Sequence, residues 1–224
     1  MNLRVVQNFL SAYKIYSENL ENKDILYIFK DKNNNIASLN LQFLKENFTH
    51  LTGIKNYTNK VIMKNLEKEN INNLYFKTNN LTFLKLDNFE LIKQIINNSN
   101  LYITVHDKDK SIKLVADKLI GNEKLTLAIG ENKLIKKYYP KSFLVEPILN
   151  RSKGDEIYKV EGIFYKNINK EKFNECTYIN GNILDKIVNN EDFKEIIDVN
   201  LYDKLKKIKE NKKNFYSRDD DLER

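Results

Sequence analysis

Between positions 101 and 165 the sequence holds a series of short segments in which apolar and polar residues alternate. A period of two is typical of strands that bury one face. The segments follow each other with no helical stretches between them, which does not suit the βαβ order of a doubly wound fold. We therefore predict one antiparallel sheet in this region. The predicted strands are residues 101–106, 112–116, 125–129, 143–146 and 156–165.

Helices and a hairpin precede these strands. Apolar residues recur at helical spacing over 3–20, and two apolar segments flank the polar turn at 31–35, as in a hairpin. From about residue 181 the pattern becomes helical again and ends in a lysine-rich stretch. We predict an α+β fold with N-terminal helices packed on the antiparallel sheet, a main domain over 1–180 and a helical extension over 181–224. The other predicted elements are helices at 58–67 and 89–97, strands at 25–29 and 36–43, and a bend or helix start at Gly53.

The chain carries a net charge of +7, and most of its cations are lysines. Two explanations of this charge stay open. Lys, Asn and Ile share A/T-rich codons, so the lysines can reflect the base composition of the genome. Alternatively, the charge forms a surface that binds polyanions. The single Cys176 excludes an internal disulfide. No apolar run is long enough for a bilayer span, and the N-terminal segment lacks the apolar core of a signal peptide. We therefore expect a cytoplasmic protein without membrane contact.

Several kinds of chemistry have no matching pattern. The six glycines form neither a GxGxxG nor a GxxxxGK[ST] spacing, so no nucleotide cofactor is predicted. His50 and His106 lie in separate elements without cysteine partners, which argues against zinc. No GxSxG elbow is present, and no pair of acidic residues stands out as a two-metal site. Acid–base chemistry without metal or cofactor is what these residues could support.

Three segments hold candidate functional residues, each with a structural alternative. His50 could transfer a proton near neutral pH, or could hydrogen-bond a backbone group where the hairpin meets a helix. Residues 138–142, Tyr-Tyr-Pro-Lys-Ser, combine base-stacking rings with a phosphate-binding lysine, or form a proline turn before a strand. Lys166 could neutralise a phosphorane, or be one more surface lysine. The lysines of 204–213 favour a solvated helix face over a binding site.

Taken together, these segments resemble a known family. The order is a hairpin, then Phe-Thr-His-Leu-Thr-Gly-Ile at 48–54, Tyr-Tyr-Pro-Lys-Ser-Phe-Leu at 138–144, and a last strand ending in Gly-Ile-Phe-Tyr-Lys at 162–166. Over roughly residues 20–170 the chain looks like the phage-encoded branch of the barnase–EndoU–colicin–RelE nuclease superfamily. The resemblance implies a small α+β domain with N-terminal helices packed on an antiparallel sheet. Most members of the superfamily are metal-independent ribonucleases, and many of them act as toxins or as weapons of phages and mobile elements.

The resemblance also implies roles for individual residues. His50 would be the general acid or base, Lys166 would stabilise the phosphorane, and Ser142 and Thr52 would donate hydrogen bonds to phosphate oxygens. The residues expected to bind RNA are Tyr138, Tyr139, Lys141 and Arg151. Arg151 lies outside the matching motifs, although ribonucleases of this type often use an arginine as a phosphate clamp.

Two functions follow from this resemblance. The first is a metal-independent endoribonuclease that cleaves RNA by attack of the 2′-hydroxyl. The alternative is a non-catalytic phage anti-defence protein that binds and inhibits an RNA-guided nuclease or its RNA, with a plain nucleic-acid-binding domain as a weaker third. The expected partners are RNA and, for either function, a protein such as an immunity protein or a host defence nuclease.

Overall fold

A computed structural model describes residues 3–54, 79–105, 116–152 and 154–220. The helix expected at 58–67, His106 and almost all of the strand expected at 112–116 lie outside these residues. The helices are α1 Leu3–Asn19, α2 Asn47–Thr52, α3 Asn80–Asp87, a 3-10 turn Phe89–Lys93 that continues into α4 Gln94–Asn97, α5 Ile148–Arg151, α6 Gly181–Val188, α7 Glu191–Ile196 and α8 Val199–Asp220. The strands are β1 Lys23–Lys30, β2 Ile36–Phe43, β3 Tyr102–Val105, β4 Lys118–Gly121, β5 Thr126–Asn132, β6 Lys137–Leu144, β7 Glu156–Asn167 and β8 Glu175–Ile179.

The strands close into a barrel, which corrects the prediction of helices packed on an antiparallel sheet. In the described part of the chain, seven strands pair in the order β1-β2-β6-β5-β4-β3-β7, and β7 pairs back with β1. The barrel is mixed, because β2 and β6 run parallel and meet at Leu41 and Tyr138, whereas the other pairs are antiparallel. The eighth strand, β8, pairs with β7 outside the closed ring. Alternation located β3, β5 and β7, but it missed β4 and β8, and the strand expected at 143–146 overlaps only the end of β6. The pairings that close the ring join distant parts of the sequence.

The main hydrophobic core lies between the strands and the N-terminal helices. One face of β1 contributes Ile25, Tyr27 and Phe29 to it, and α1 contributes a stripe that includes Phe9 and Tyr16. These side chains are buried because the period-two face of the strand meets the apolar face of the amphipathic helix. The helix expected at 3–20 is therefore confirmed, and it packs on this core.

Two local predictions need correction. A proline turn before a strand, one of the two interpretations of residues 138–142, is wrong. Pro140 lies inside β6, where the register shifts so that Ala128 pairs with Ser142 and Ile129 with Pro140. This bulge leaves Lys141 as the extra residue, and proline fits there because an irregular ladder needs fewer amide donors. Of the two alternatives at Gly53, the helix start is wrong and the bend is right, because Gly53 ends α2 as a C-terminal cap with a φ of 73°.

The C-terminal helices build a second cluster on the other face of β1. Leu26 and Ile28 pack there with Phe164 of β7 and with apolar side chains of α6, α7 and α8. Tyr202 anchors α8, because its hydroxyl donates a 2.5 Å hydrogen bond to the carbonyl of Val188. No helix in the described residues has the length and apolar character of a bilayer span.

Candidate functional site

Helix α2 packs on an aromatic cluster through Phe48, and its His50 is exposed to solvent. Phe48 lies with its ring centroid 5.1 Å from that of Phe9, 5.4 Å from that of Tyr16 and 5.7 Å from that of Phe89. The other residues of this six-residue helix are all buried, and His50 alone is exposed. Within the described residues its imidazole makes no hydrogen bond or ion pair. The local fold therefore leaves one titratable ring of α2 accessible.

Thr52 lies on the same helix but faces inward. Its side chain is fully buried, and its hydroxyl donates a 2.9 Å hydrogen bond to the carbonyl of Thr49. Gly53 follows, and its carbonyl accepts a 3.3 Å hydrogen bond from the hydroxyl of Thr82 on α3. These bonds stabilise the end of α2 and connect it to α3.

Ser142 of β6 meets a buried lysine. The ammonium of Lys85, on α3, donates a 3.0 Å hydrogen bond to Ser142 Oγ, and Lys85 is only 2% exposed. The stem of Lys85 also lies against Gly53. Because the Ser142 oxygen accepts this bond, its own proton can be donated elsewhere, and an ammonium neighbour strengthens such a donor.

Lys166 lies in a different group of charges, at the end of the barrel where β1 and β6 begin. The Asp24 carboxylate is buried there; it accepts a 2.6 Å hydrogen bond from Lys137 Nζ and a 2.9 Å hydrogen bond from Gln42 Nε2. Lys166 Nζ is 4.0 Å from the same carboxylate and donates to the carbonyls of Lys170 and Glu171.

The environment of Lys166 works against its charge. Burial lowers the pKa of Lys166 below its ordinary value; the attraction of Asp24 opposes this, and the repulsion of Lys137 adds to it. The close partners of Lys166 are one carboxylate and two carbonyls. Through them, Lys166 connects the end of β7 to β1 and to the loop that follows β7.

A cleft of about 250 Å³ opens between the start of α2 and the turn that joins β5 to β6. Two of the expected RNA-binding residues, Tyr138 and Tyr139, line it. Lysines lie over both rings: Lys118 Nζ is 4.8 Å from the ring centroid of Tyr138, and Lys141 Nζ is 5.8 Å from that of Tyr139. The remaining lining residues are Gln42, Leu44, Glu46, Asn47, Asn132, Ile135 and Lys137.

The other two expected RNA-binding residues have acidic partners. Lys141 Nζ is 3.8 Å from Asp117, at the bulge of β6. Arg151 Nε is 2.6 Å from the carboxylate of Glu146. Arg151 ends α5, which follows the far end of β6, so it does not line the cleft. Among the described residues, no three His, Cys, Asp or Glu side chains are grouped as metal ligands would be.

The candidate residues do not form one group: His50 and Thr52 lie on α2, while Lys166 and Arg151 lie elsewhere with acidic partners. His50 follows Glu46 and Asn47 by one helical turn and precedes Gly53, beside Lys85, by another. Along the chain, His50 thus lies between two cleft-lining residues and Gly53, which is next to Lys85. No hydrogen bond or ion pair in the described residues joins Lys166 to His50 or Ser142.

Sequence reasoning missed Lys85 and Asp24. A signal for Lys85 was present, because Thr82, Lys85 and Leu86 follow the spacing of one helix face and all three are buried. For Asp24 no comparable signal exists, since a carboxylate at the start of a strand is an ordinary surface feature.

Comparison with known proteins identifies the family. No curated protein and no solved structure matches the chain. Residues 9–182 match the family described as phage-Barnase-EndoU-ColicinE5/D-RelE like nuclease 4. The match includes α2, the cleft and β6, and it ends at the start of α6. Since it extends over well more than half of the sequence, the chain belongs to this phage nuclease family.

Proposed function

We propose that the protein is a metal-independent endoribonuclease in which His50 transfers the proton that starts cleavage. Membership of a phage nuclease family supports phosphodiester chemistry. The observation that carries the proposal is the exposure of His50 on α2, whose other residues are buried and whose first residue, Asn47, lines the aromatic cleft. An accessible imidazole on a well-anchored helix suits a general acid–base group.

The reaction proceeds by attack of a ribose 2′-hydroxyl on the adjacent phosphorus. The neutral imidazole of His50 accepts the 2′-hydroxyl proton as the bond from the 2′-oxygen to phosphorus forms. The bond from phosphorus to the 5′-oxygen breaks, and that oxygen takes a proton from His50 or water. The products are a 2′,3′-cyclic phosphate and a 5′-hydroxyl end, so atoms and charge balance without a metal or a cofactor.

Stabilisation of the phosphorane is assigned to Ser142. Its hydroxyl donates to a non-bridging oxygen, while Lys85 holds and polarises it from the buried side. Thr52 supports the helix through its bond to Thr49. Lys166 supports the wall of the cleft, because Asp24 connects it to Gln42 and Lys137, which line that wall.

The test is incubation of the full chain with total RNA in excess EDTA, followed by analysis of the product ends. We expect cleavage by the unmodified protein and ends that carry 2′,3′-cyclic phosphate. His50→Gln should lower the rate by about 10²–10⁴-fold, while His106→Gln, the same change at the other histidine, should leave it unchanged. Undiminished cleavage by His50→Gln would remove His50 from the mechanism. Absence of cleavage by any form would favour the anti-defence alternative.

A further inference from the structure

The cleft between α2 and the β5–β6 turn has rigid walls. Gln42 and Lys137 are fixed by their hydrogen bonds to the buried Asp24 carboxylate. Tyr138, the next residue of β6, packs against the main core, and Tyr139 follows it at the surface. A cavity whose walls are held by core packing and by a buried charge does not need to be ordered when a ligand binds, which lowers the entropic cost of binding.

Two asparagines give the cleft hydrogen-bond donors. Asn47 Oδ1 accepts a 2.7 Å hydrogen bond from the amide of Leu44, and Asn132 Oδ1 accepts a 3.2 Å hydrogen bond from the amide of Leu134. Both bonds fix the carbonyl end of the side-chain amide on the protein. The NH₂ end of each asparagine is therefore the end that can donate to a ligand in the cleft.

Ile135 adds an apolar side chain that is more exposed than the tyrosine rings of the cleft. It is 51% exposed although it lines the cleft, and the neighbouring Leu134, 95% exposed, does not line it. The cleft thus combines aromatic rings, one exposed apolar side chain and amide donors in about 250 Å³. This volume is below the range of about 300–1,000 Å³ for drug-sized ligands, and it suits one flat ring system.

We propose that this cleft binds one unpaired base of single-stranded RNA, next to the phosphodiester that is cleaved at His50. The inference rests on the proposed ribonuclease function and names its base-binding subsite. Every base offers a face that stacks on Tyr138 or Tyr139 and an edge with carbonyl or ring-nitrogen acceptors. Asn47 precedes His50 by three residues, about 4.5 Å along the helix, so a nucleotide held there has its phosphate beside the imidazole. Stacked bases of a duplex cannot enter.

The test measures binding without cleavage. A fluorescein-labelled RNA 12-mer of mixed sequence, 2′-O-methylated throughout, lacks the nucleophile but keeps its bases, and fluorescence anisotropy gives the Kd. Ile135→Ser should raise the Kd about tenfold, because the bound base loses its apolar contact with the exposed Ile135 side chain. Leu134→Ser, which makes the same kind of change one residue earlier, should alter the Kd less than about twofold. Equal rises in both variants, or none in Ile135→Ser, would overturn the proposal.

A second pair of variants tests the amide donor. Asn132→Asp keeps the oxygen that accepts from Leu134 but replaces the NH₂ with a charged oxygen, so the turn is preserved while base binding weakens. Asn190→Asp adds the same charge at the start of α7, where its oxygen accepts from the amide of Asp192. Only the first should raise the Kd several-fold. Equal effects would show that net charge, and not the cleft, controls binding.

The outcomes separate this inference from the proposed function. A protein that binds the methylated RNA through Ile135 but cuts no natural RNA keeps the base subsite and loses the ribonuclease function. A protein that cuts RNA while Ile135→Ser binds and cuts normally keeps the function and loses the subsite. Failure of the unmodified protein to bind the methylated RNA would also overturn the subsite.

Discussion

The two faces of β1 pack into two different hydrophobic clusters, which define two regions of the molecule. One face joins the main core under α1 and α2, next to the cleft. The other joins the second cluster under α6, α7 and α8. The family match includes the first region and ends at residue 182, where the helices of the second begin. The first region therefore holds what the family shares, and the second is built largely from residues beyond the match.

The lysines in the two regions have different neighbours. On α8, Lys209 Nζ is 3.6 Å from Asp185 and 2.9 Å from Asn189 Oδ1, so it ties α8 to α6. Near the cleft, Lys118 and Lys141 lie over the rings of Tyr138 and Tyr139. A run of lysines in a sequence therefore does not locate a binding site. Lysines beside exposed aromatic rings and a cavity are the more informative pattern.

The largest expected effect compares the two cores directly. Phe48→Ala and Phe193→Ala each remove a buried ring, from the first and the second cluster respectively. Each should lower the free energy of unfolding by about 3–5 kcal/mol, measured by urea denaturation. Phe48 anchors α2, so the activity per folded molecule should fall only in Phe48→Ala. Equal loss of activity in Phe193→Ala would show that the second cluster also shapes the site.

The next effect concerns the lysine-supported serine. Ser142→Ala should lower kcat by about 10²–10³-fold with little change in KM, the range for removal of one transition-state donor. Ser38→Ala, at an exposed serine of β2, is the control and should have no effect. If Lys85 acts through Ser142, Lys85→Met should lower kcat as well, and the double variant should fall no further than the worse single variant. Additive losses would contradict a shared role.

Much of the fold was predictable from residue patterns, because the hairpin and three later strands obey local periodicity. Residues 36–43 are β2 as predicted, and β3, β5 and β7 overlap the strands expected from alternation. Barrel closure was not predictable, since the Leu41–Tyr138 pairing joins parallel strands nearly a hundred residues apart. Alternation shows which residues of a strand lie on the same face of the sheet. It does not show which strand pairs with it or whether the two strands run parallel or antiparallel.

The candidate site shows the same limit. His50 could be found because its ring chemistry is rare in this chain and its segment is distinctive. Lys85 was missed although it shares a helix face with Thr82 and Leu86, because a lysine is read as exposed unless the burial of that face is known. The roles of Ser142 and Lys166 depend on partners that are distant in sequence. Contacts between distant elements decide which polar residue is accessible and which is already bonded.

A smaller effect uses Cys176 of β8 as a reporter of the second cluster, against which it packs. Burial raises the pKa of the Cys176 thiol from its ordinary value of 9.0 to about 11. At pH 8 its thiolate fraction, and hence its alkylation by iodoacetamide, should be about 100-fold lower in the native than in the unfolded chain.

The same shift links this thiol to stability. Because the native pKa is above the unfolded one, the contribution of this thiol to stability falls as pH rises from about 9 to 11. Phe193→Ala should speed alkylation in mass-spectrometric time courses, and Phe48→Ala should not. Equal acceleration in both variants would mean that the two clusters open together.

The smallest effect asks whether the two sets of lysines contribute equally to RNA binding. Lys133 and Lys136, in the turn beside the cleft, are exposed, as are Lys204 and Lys207 on α8. Replacing either pair with glutamine removes two positive charges, so the variants have the same net charge.

Each lysine that neutralises a phosphate contributes about 0.7 to the slope of log Kobs against log salt for a single strand. The slope should therefore flatten by about 1.4 for Lys133→Gln with Lys136→Gln, and not at all for the α8 pair. Anisotropy titrations of the methylated RNA between about 50 and 200 mM salt would measure both slopes. Equal slope changes would mean that RNA binds both regions and that basic charge alone, without the cleft, directs it.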